Sequence, residues 1–233
     1  MGTVTAYNLS LLGQEDCLSL FYKCAFKEGQ KELNPNLVAI GKEIVAKCKQ
    51  VPLAVINLGT QLYGKTDETE WKSVRDSEKW EEEGDGILPA LKISYQRLPT
   101  HLKRCFLYCS VFPKDYPFLD LVLVQFWMAH GLILQSSNPN EKLEDVGLRY
   151  VRELISRCFF QDYVDGNIGA SFKMHGLMHD LASSLAQNEF SIISSQNHQI
   201  SKTTRVICQF LTLIHFFIKL FPSSQTTSIK CGQ

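Results

Sequence analysis

Two histidines stand four residues apart in SFKMHGLMHDLA, at His175 and His179, in a chain that holds six. On a helix that spacing puts both imidazoles on one face. The arrangement suits zinc, an anionic ligand, or plain packing. A zinc hydrolase of this type needs a glutamate directly after the first histidine to activate water. Gly176 stands there, and beyond the adjacent Asp180 no third ligand is evident. Cys105 and Cys109 are also four apart, but no second pair completes a metal set, so they read as core thiols. No G-x-S-x-G nucleophile motif occurs, and the remaining Cys and His residues follow no catalytic spacing.

GTQLYGKT, residues 59–66, fits the phosphate-loop pattern G-x-x-x-x-G-K-[ST]. A phosphate loop turns backbone N–H groups inward around an anion. Leu62 and Tyr63 are bulky for such a loop, and Asp67 and Glu68 would set negative charge beside the phosphates. No later strand ends in a magnesium-binding acid. The spacing favours a buried helix from Pro52 to Tyr63, a stop at Gly64, a solvated Lys65 and a new N-cap at Asp67. A stand-alone nucleotide triphosphatase using Gly59–Thr66 is the alternative.

The elements that would carry these residues are helical. The chain has 233 residues, 45% apolar and 21% charged, with 24 basic and 24 acidic side chains, enough for one large or two small domains. Leu18, Phe21, Tyr22 and Ala25 form one stripe. Asn34-Pro35 opens a helix with Leu37, Ile40, Ile44 and Cys48 on one face, Pro52 opens another, and Asp67 with Glu70 suggests a capping box over Trp71 and Val74. These predict a small helical bundle over 12–82. EEEGDG, residues 81–86, reads as a solvated linker. Stripes at Leu88–Leu98, Leu102–Cys109, Leu119–His130 and Val151–Cys158 follow, then a β-hairpin around Asp165-Gly166, then a helix carrying Met174, Met178, Leu181 and Leu185. The expectation is a mainly α chain, a bundle followed by a winged-helix domain with one β-hairpin.

A winged helix often reads DNA. Here the candidate recognition segment, FLDLVLVQFWMAHG, carries no Arg or Lys, and over 86–190 ten basic residues balance ten acidic ones. Nucleic acid is therefore not the expected partner, and a nucleic-acid-binding module is kept as an alternative. The eight cysteines, without a basic, apolar leader, point to reduced thiols and a cytoplasmic location. VICQFLTLIHFFIKLF, residues 206–221, is short for a membrane span and holds His215 and Lys219, so no membrane role is expected.

Five stretches in this order, YNLSLLGQEDCLSLFYKCAF, IVAKCKQVPLAV, KISYQRLPTHLKRCFLYCSVFPKDY, FWMAHGLI and FKMHGLMHDLA, resemble the helical half of the NB-ARC module in plant nucleotide-binding, leucine-rich-repeat disease-resistance proteins. The resemblance covers about residues 1–193. It implies a defence-signalling switch, closed with ADP and opened by exchange to ATP. Residues 1–11 would end the nucleotide-binding core, 12–82 form the first helical subdomain, 86–190 the winged-helix subdomain, and 191–233 an irregular or disordered tail. CKQVPLAV corresponds to the family's Gly-Leu-Pro-Leu stretch, which makes Pro52 the adenine contact, with Gln50 and Val51 in place of Gly and Leu. Met174-His175-Gly176 stands where the family has Met-His-Asp, which makes His175 the contact to the β-phosphate and leaves Gly176 as a departure. The second copy, Met178-His179-Asp180, is assigned to packing. The expected chain is a fragment without the phosphate loop or leucine-rich repeats, not an enzyme. Its ADP affinity would be weak or lost, and its other partners would be domains of the same or related resistance proteins.

Overall fold

The computed structural model describes residues 11–82, 88–135, 138, 140–167, 169–186, 190–192 and 205–207. The apolar stripes read from the sequence become helices α1 (Gln14–Ala25), α3 (Pro35–Lys47), α4 (Pro52–Gln61) and α5 (Glu68–Arg75), and a short α2 (Gln30–Leu33) that no stripe foretold stands before α3. Helices α1, α3 and α5 bury the faces their spacing predicts: Leu18, Phe21 and Ala25 from α1, Leu37, Ile40 and Ile44 from α3, Trp71 and Val74 from α5. Helix α4 departs from its expected face of Leu53, Ile56 and Leu62: it buries Val55 and Leu58, with Leu62 just beyond its end, and leaves Leu53 and Ile56 half-buried, while α2 buries no side chain. Trp71 is the anchor. Its ring meets Phe21 edge-on at 5.9 Å and Phe26 at 5.1 Å, and its indole N–H donates to the Lys65 carbonyl at 3.1 Å. A large ring with its one polar atom satisfied contributes its full apolar burial, roughly 3 kcal/mol. Gly59 lets α1 and α4 touch: a Cβ there would stand 2.8 Å from Cys24 Cβ and 3.2 Å from the Phe21 carbonyl.

Two of the expected caps differ in detail. Asn34 occupies the N-cap of α3, but its side chain donates back to the Gln30 carbonyl at 2.7 Å. Asp67 caps α5 by accepting from the Thr69 N–H at 2.8 Å, whereas Glu70 turns away to Lys65 (3.1 Å) and Arg97 (3.5 Å), so the reciprocal half of the capping box does not form. The phosphate-loop pattern is spent on helix and turn. Gly59–Gln61 close α4, Gly64 sits at φ +68 and donates its N–H to the Ala25 carbonyl at 3.0 Å, and Lys65 pairs with Glu70. The amides of Leu62, Tyr63, Gly64 and Lys65 all donate to carbonyls of the chain itself, the arrangement of a helix stop and not of a phosphate cradle.

Helix α6 (Pro89–Gln96) belongs to both halves of the structure. Ala90 and Ile93 complete the bundle core. Tyr95 instead meets Phe106 of α7 (Thr100–Tyr108), with ring centroids 5.9 Å apart. Helices α8 (Asp120–Ala129) and α9 (Leu143–Ser156) follow. Strands β2 (Gln161–Val164) and β3 (Ser171–Lys173) form the expected hairpin, and β1 (Phe118–Leu119) adds to it, giving an antiparallel sheet in the order β1-β3-β2. Phe118 stacks on its cross-strand partner Phe172 at 5.7 Å. The β2 register shifts between Gln161 and Val164, with Asp162 in the left-handed region at φ +56. Met174 is buried just before α10 (Gly176–Ala186) rather than on it. The described residues up to Ser184 form one compact unit, with the EEEGDG stretch outside the described residues from 83 to 86. In the second unit, β4 (Phe190–Ile192) and β5 (Arg205–Ile207) pair in parallel, and the rest of the expected tail lies outside the described residues.

Two positions make the packing testable. At Gly147 a Cβ would stand 2.4 Å from Val124 Cγ1 and 2.7 Å from Ile133 Cδ1, so the α8–α9 contact needs a residue without a side chain. Gly147→Ala should destabilise the chain by about 1–3 kcal/mol, read as a lower thermal midpoint; an unchanged midpoint would refute this packing. Gln50 holds φ +60, next to Lys49 at φ +51. An L-residue in that region costs about 1–2 kcal/mol, partly offset in glycine by its greater loss of chain entropy. Gln50→Gly should therefore stabilise by about 0.5–1 kcal/mol, seen as a higher urea midpoint; a lower midpoint would show that Gln50 contributes contacts that outweigh its strain.

Candidate functional site

Strand β3 ends at Lys173, and the buried Met174 fixes where the chain turns into α10. His175 then becomes the helix N-cap. Its carbonyl accepts from the N–H groups of Met178 and His179, both at 2.9 Å, and its Nδ1 accepts from the Leu177 N–H at 3.0 Å. An imidazole nitrogen that accepts a backbone proton carries none itself, so the ring proton resides on Nε2. Among the described residues no group pairs with Nε2. His175 thus presents a single N–H donor at the N-terminus of an eleven-residue helix whose first turn holds no acid. That end carries the positive pole of the helix dipole. The chemistry on offer is donation to an oxyanion.

His179, one turn on, is committed elsewhere. Its Nε2 lies 2.7 Å from the Phe112 carbonyl and donates to it, and its Nδ1 lies 3.4 Å from the Ser183 hydroxyl. Asp180 pairs with Lys114. The two histidines do not converge on a shared ion, and among the described residues no group of three or more His, Cys, Asp or Glu could hold a metal. At Gly176 a Cβ would meet nothing within 4 Å, so this position is open to a larger residue.

Pro52 is exposed at the first turn of α4, where its missing N–H costs no helical hydrogen bond. The two left-handed residues before it, Lys49 and Gln50, make the sharp entry from α3. Pro52 and His175 thus open two different helices, one in the bundle and one in the winged helix.

A second feature, which the sequence reading missed, lies between these halves. A cleft of about 660 Å³ is lined by Cys24, Gln61, Lys65, Arg97 and Arg157 among others, and by neither Pro52 nor His175. Its floor is polar. Asn57, fully buried, donates from Nδ2 to the Arg157 carbonyl at 2.7 Å, and Gln61 Nε2 donates to the Ser94 carbonyl at 3.2 Å. Each cation of the cleft has a carboxylate partner: Lys65 and Arg97 share Glu70, and Arg157 holds Glu153 at 2.8 Å. The available signal was Asn57, a polar residue set on the apolar face of LAVINLG. The exposed residues of α8 are Leu121, Gln125 and Ala129, without a basic group for phosphate contact. Among the described residues no helix is long and apolar enough to cross a membrane.

Comparison with known proteins agrees with this architecture. A family model for the disease resistance protein winged helix domain matches residues 111–182. The chain is 51% identical over 187 residues to the putative disease resistance protein RGA1 of Solanum bulbocastanum, covering 79% of this chain and 19% of that protein. It is 46% identical over 234 residues to the disease resistance protein RGA2 of the same plant, covering 99% of this chain and 24% of that protein. Against the disease resistance protein RPM1 of Arabidopsis thaliana it is 32% identical over 192 residues, 79% of this chain and 20% of that protein. The chain therefore spans about a quarter or less of the length of these relatives. With a helical bundle, a three-stranded sheet, a family match over residues 111–182 and relatives aligned over most of its length, the chain belongs to the plant disease resistance proteins, and that segment is their winged-helix domain.

Proposed function

We propose that this chain supplies the helical and winged-helix part of a nucleotide-dependent switch in plant defence signalling, responding to ADP and ATP, in the cytoplasm. The observation that carries the reading is the bond that the Leu177 N–H donates to His175 Nδ1. Because Nδ1 caps α10, Nε2–H is held as a donor at an electropositive helix end, the chemistry a β-phosphate needs. Pro52 offers its exposed ring at the start of α4, where it would lie flat against adenine. Both residues fit the nucleotide; bound ADP would supply the phosphate charge that draws the two helix ends together. The role is binding and signalling rather than catalysis. The same surfaces would meet the other domains of the same protein or of related resistance proteins. Nucleic acid is a poor fit for an α8 face without cations.

Two contacts give weak binding, so the test is a spectroscopic titration. Millimolar ADP should shift the His175 imidazole resonances and the signals flanking Pro52, and adenosine should shift only the latter. His175→Ala should remove the phosphate-dependent shifts and leave the adenosine response. If ADP leaves both regions unchanged, neither residue contacts nucleotide and the reading fails.

Gly176 gives a second test. Replacing it with Asp puts a carboxylate in the empty first turn of α10 and removes a helical glycine. Gly176→Asp should stabilise the chain by about 0.5–2 kcal/mol at neutral pH, from the helix dipole and the propensity gain together. The dipole share should disappear on acidification through the carboxylate range. A lower melting midpoint at neutral pH would contradict the open space seen there.

A further inference from the structure

Six free cysteines lie among the described residues. Cys17, Cys48, Cys105 and Cys109 are buried, and burial pushes their thiols up, to about 12 for Cys48 and Cys105. Such thiols are inert. Cys24 and Cys158 differ, being the two that are part-exposed. They come from opposite halves of the structure. Cys24 is in α1 and lines the cleft between bundle and winged helix. Cys158 follows α9, in the left-handed region at φ +60, and its N–H donates to the Ile155 carbonyl at 2.9 Å.

Two neighbouring residues of α4 meet both cysteines. Gly59 has no side chain, and a Cβ there would stand 2.8 Å from Cys24 Cβ. Thr60 Oγ1 lies 3.6 Å from Cys158 Sγ. The Cys24 thiol is raised above its ordinary value, first by burial and then by the charge of Cys158.

We propose that Cys24 and Cys158 are a dithiol–disulfide pair that ties the bundle to the winged helix, oxidised by a low-molecular-weight disulfide of the glutathione type. The Cys158 thiolate attacks one sulfur of oxidised glutathione, forming a mixed disulfide and expelling one glutathione thiolate. The Cys24 thiolate then attacks Cys158 Sγ and expels the second. Two electrons pass to glutathione, two cysteine protons are released, and one S–S bond is exchanged for another. Cys24, with the raised thiol, acts second, when proximity to the mixed disulfide compensates for its small thiolate fraction. The closed bond spans more than half the chain, the case in which a crosslink restricts the unfolded state most.

The test is a peptide map of the full chain after equilibration in oxidised glutathione, blocking of remaining thiols and digestion without reductant. The expected product is a Cys24–Cys158 linked peptide in monomeric protein, removed by dithiothreitol. The oxidised chain should melt about 5 °C higher than the reduced chain. Cys24→Ser or Cys158→Ser should abolish both the peptide and the shift; if either variant fails to fold, the wild-type map alone decides. Separate glutathione adducts on the two residues, pairing of either with Cys208 or Cys231, or a bond between two chains would each overturn the proposal.

Discussion

Helix α6 has to be buried on two sides, and the described arrangement of bundle and wing depends on that. A helix of eight residues has room for little more than two turns of apolar contact. Here Ala90 and Ile93 go to the bundle while Tyr95 meets Phe106, so little of α6 is left for solvent. The cost is borne by Ser94, whose buried hydroxyl has no partner among the described residues while its carbonyl takes the Gln61 amide. A helix shared in this way cannot leave one core without exposing the other. The contact between Asn57 and the Arg157 carbonyl adds a directional bond to the same junction. A buried amide bonded to one backbone atom fixes position in a way that apolar packing alone does not.

Much of this was legible from periodicity. The stripes through Phe21, Ile44 and Trp71 became helices because three- and four-residue spacing has few other stable uses. Pro35, Pro52 and Pro89 each stand at the first helical position, where a missing N–H is harmless. The hairpin around Asp165-Gly166 was also visible. Strand β1 was not, because two residues carry no alternation; it exists only because Phe118 finds Phe172 across the sheet. The capping box at Asp67 failed for a tertiary reason. Glu70 gains two cations, Lys65 and Arg97, by turning outward, and no local pattern encodes Arg97.

The candidate site was legible in part. Spacing alone left His175 and His179 equivalent. They differ because the chain enters α10 directly from β3, which makes the first a cap and places the second against the Phe112 carbonyl. That distinction needs the loop geometry, not the motif. The cleft lay beyond sequence reading altogether, since its walls reach along the chain from Cys24 to Arg157. GTQLYGKT shows the opposite hazard: a short pattern can be matched in letters while Gly59 serves only to let two helices touch.

The kink in β2 bears on how the protein keeps to itself. This strand is the open margin of its sheet, and it presents Tyr163 and Val164 to water. A straight margin with such side chains would invite another polypeptide to add on and begin a fibre. With Asp162 rotated out of the extended region, the donors and acceptors along this margin fall out of step with any regular incoming strand. The wing can therefore show aromatic and branched side chains to solvent without becoming a template for aggregation.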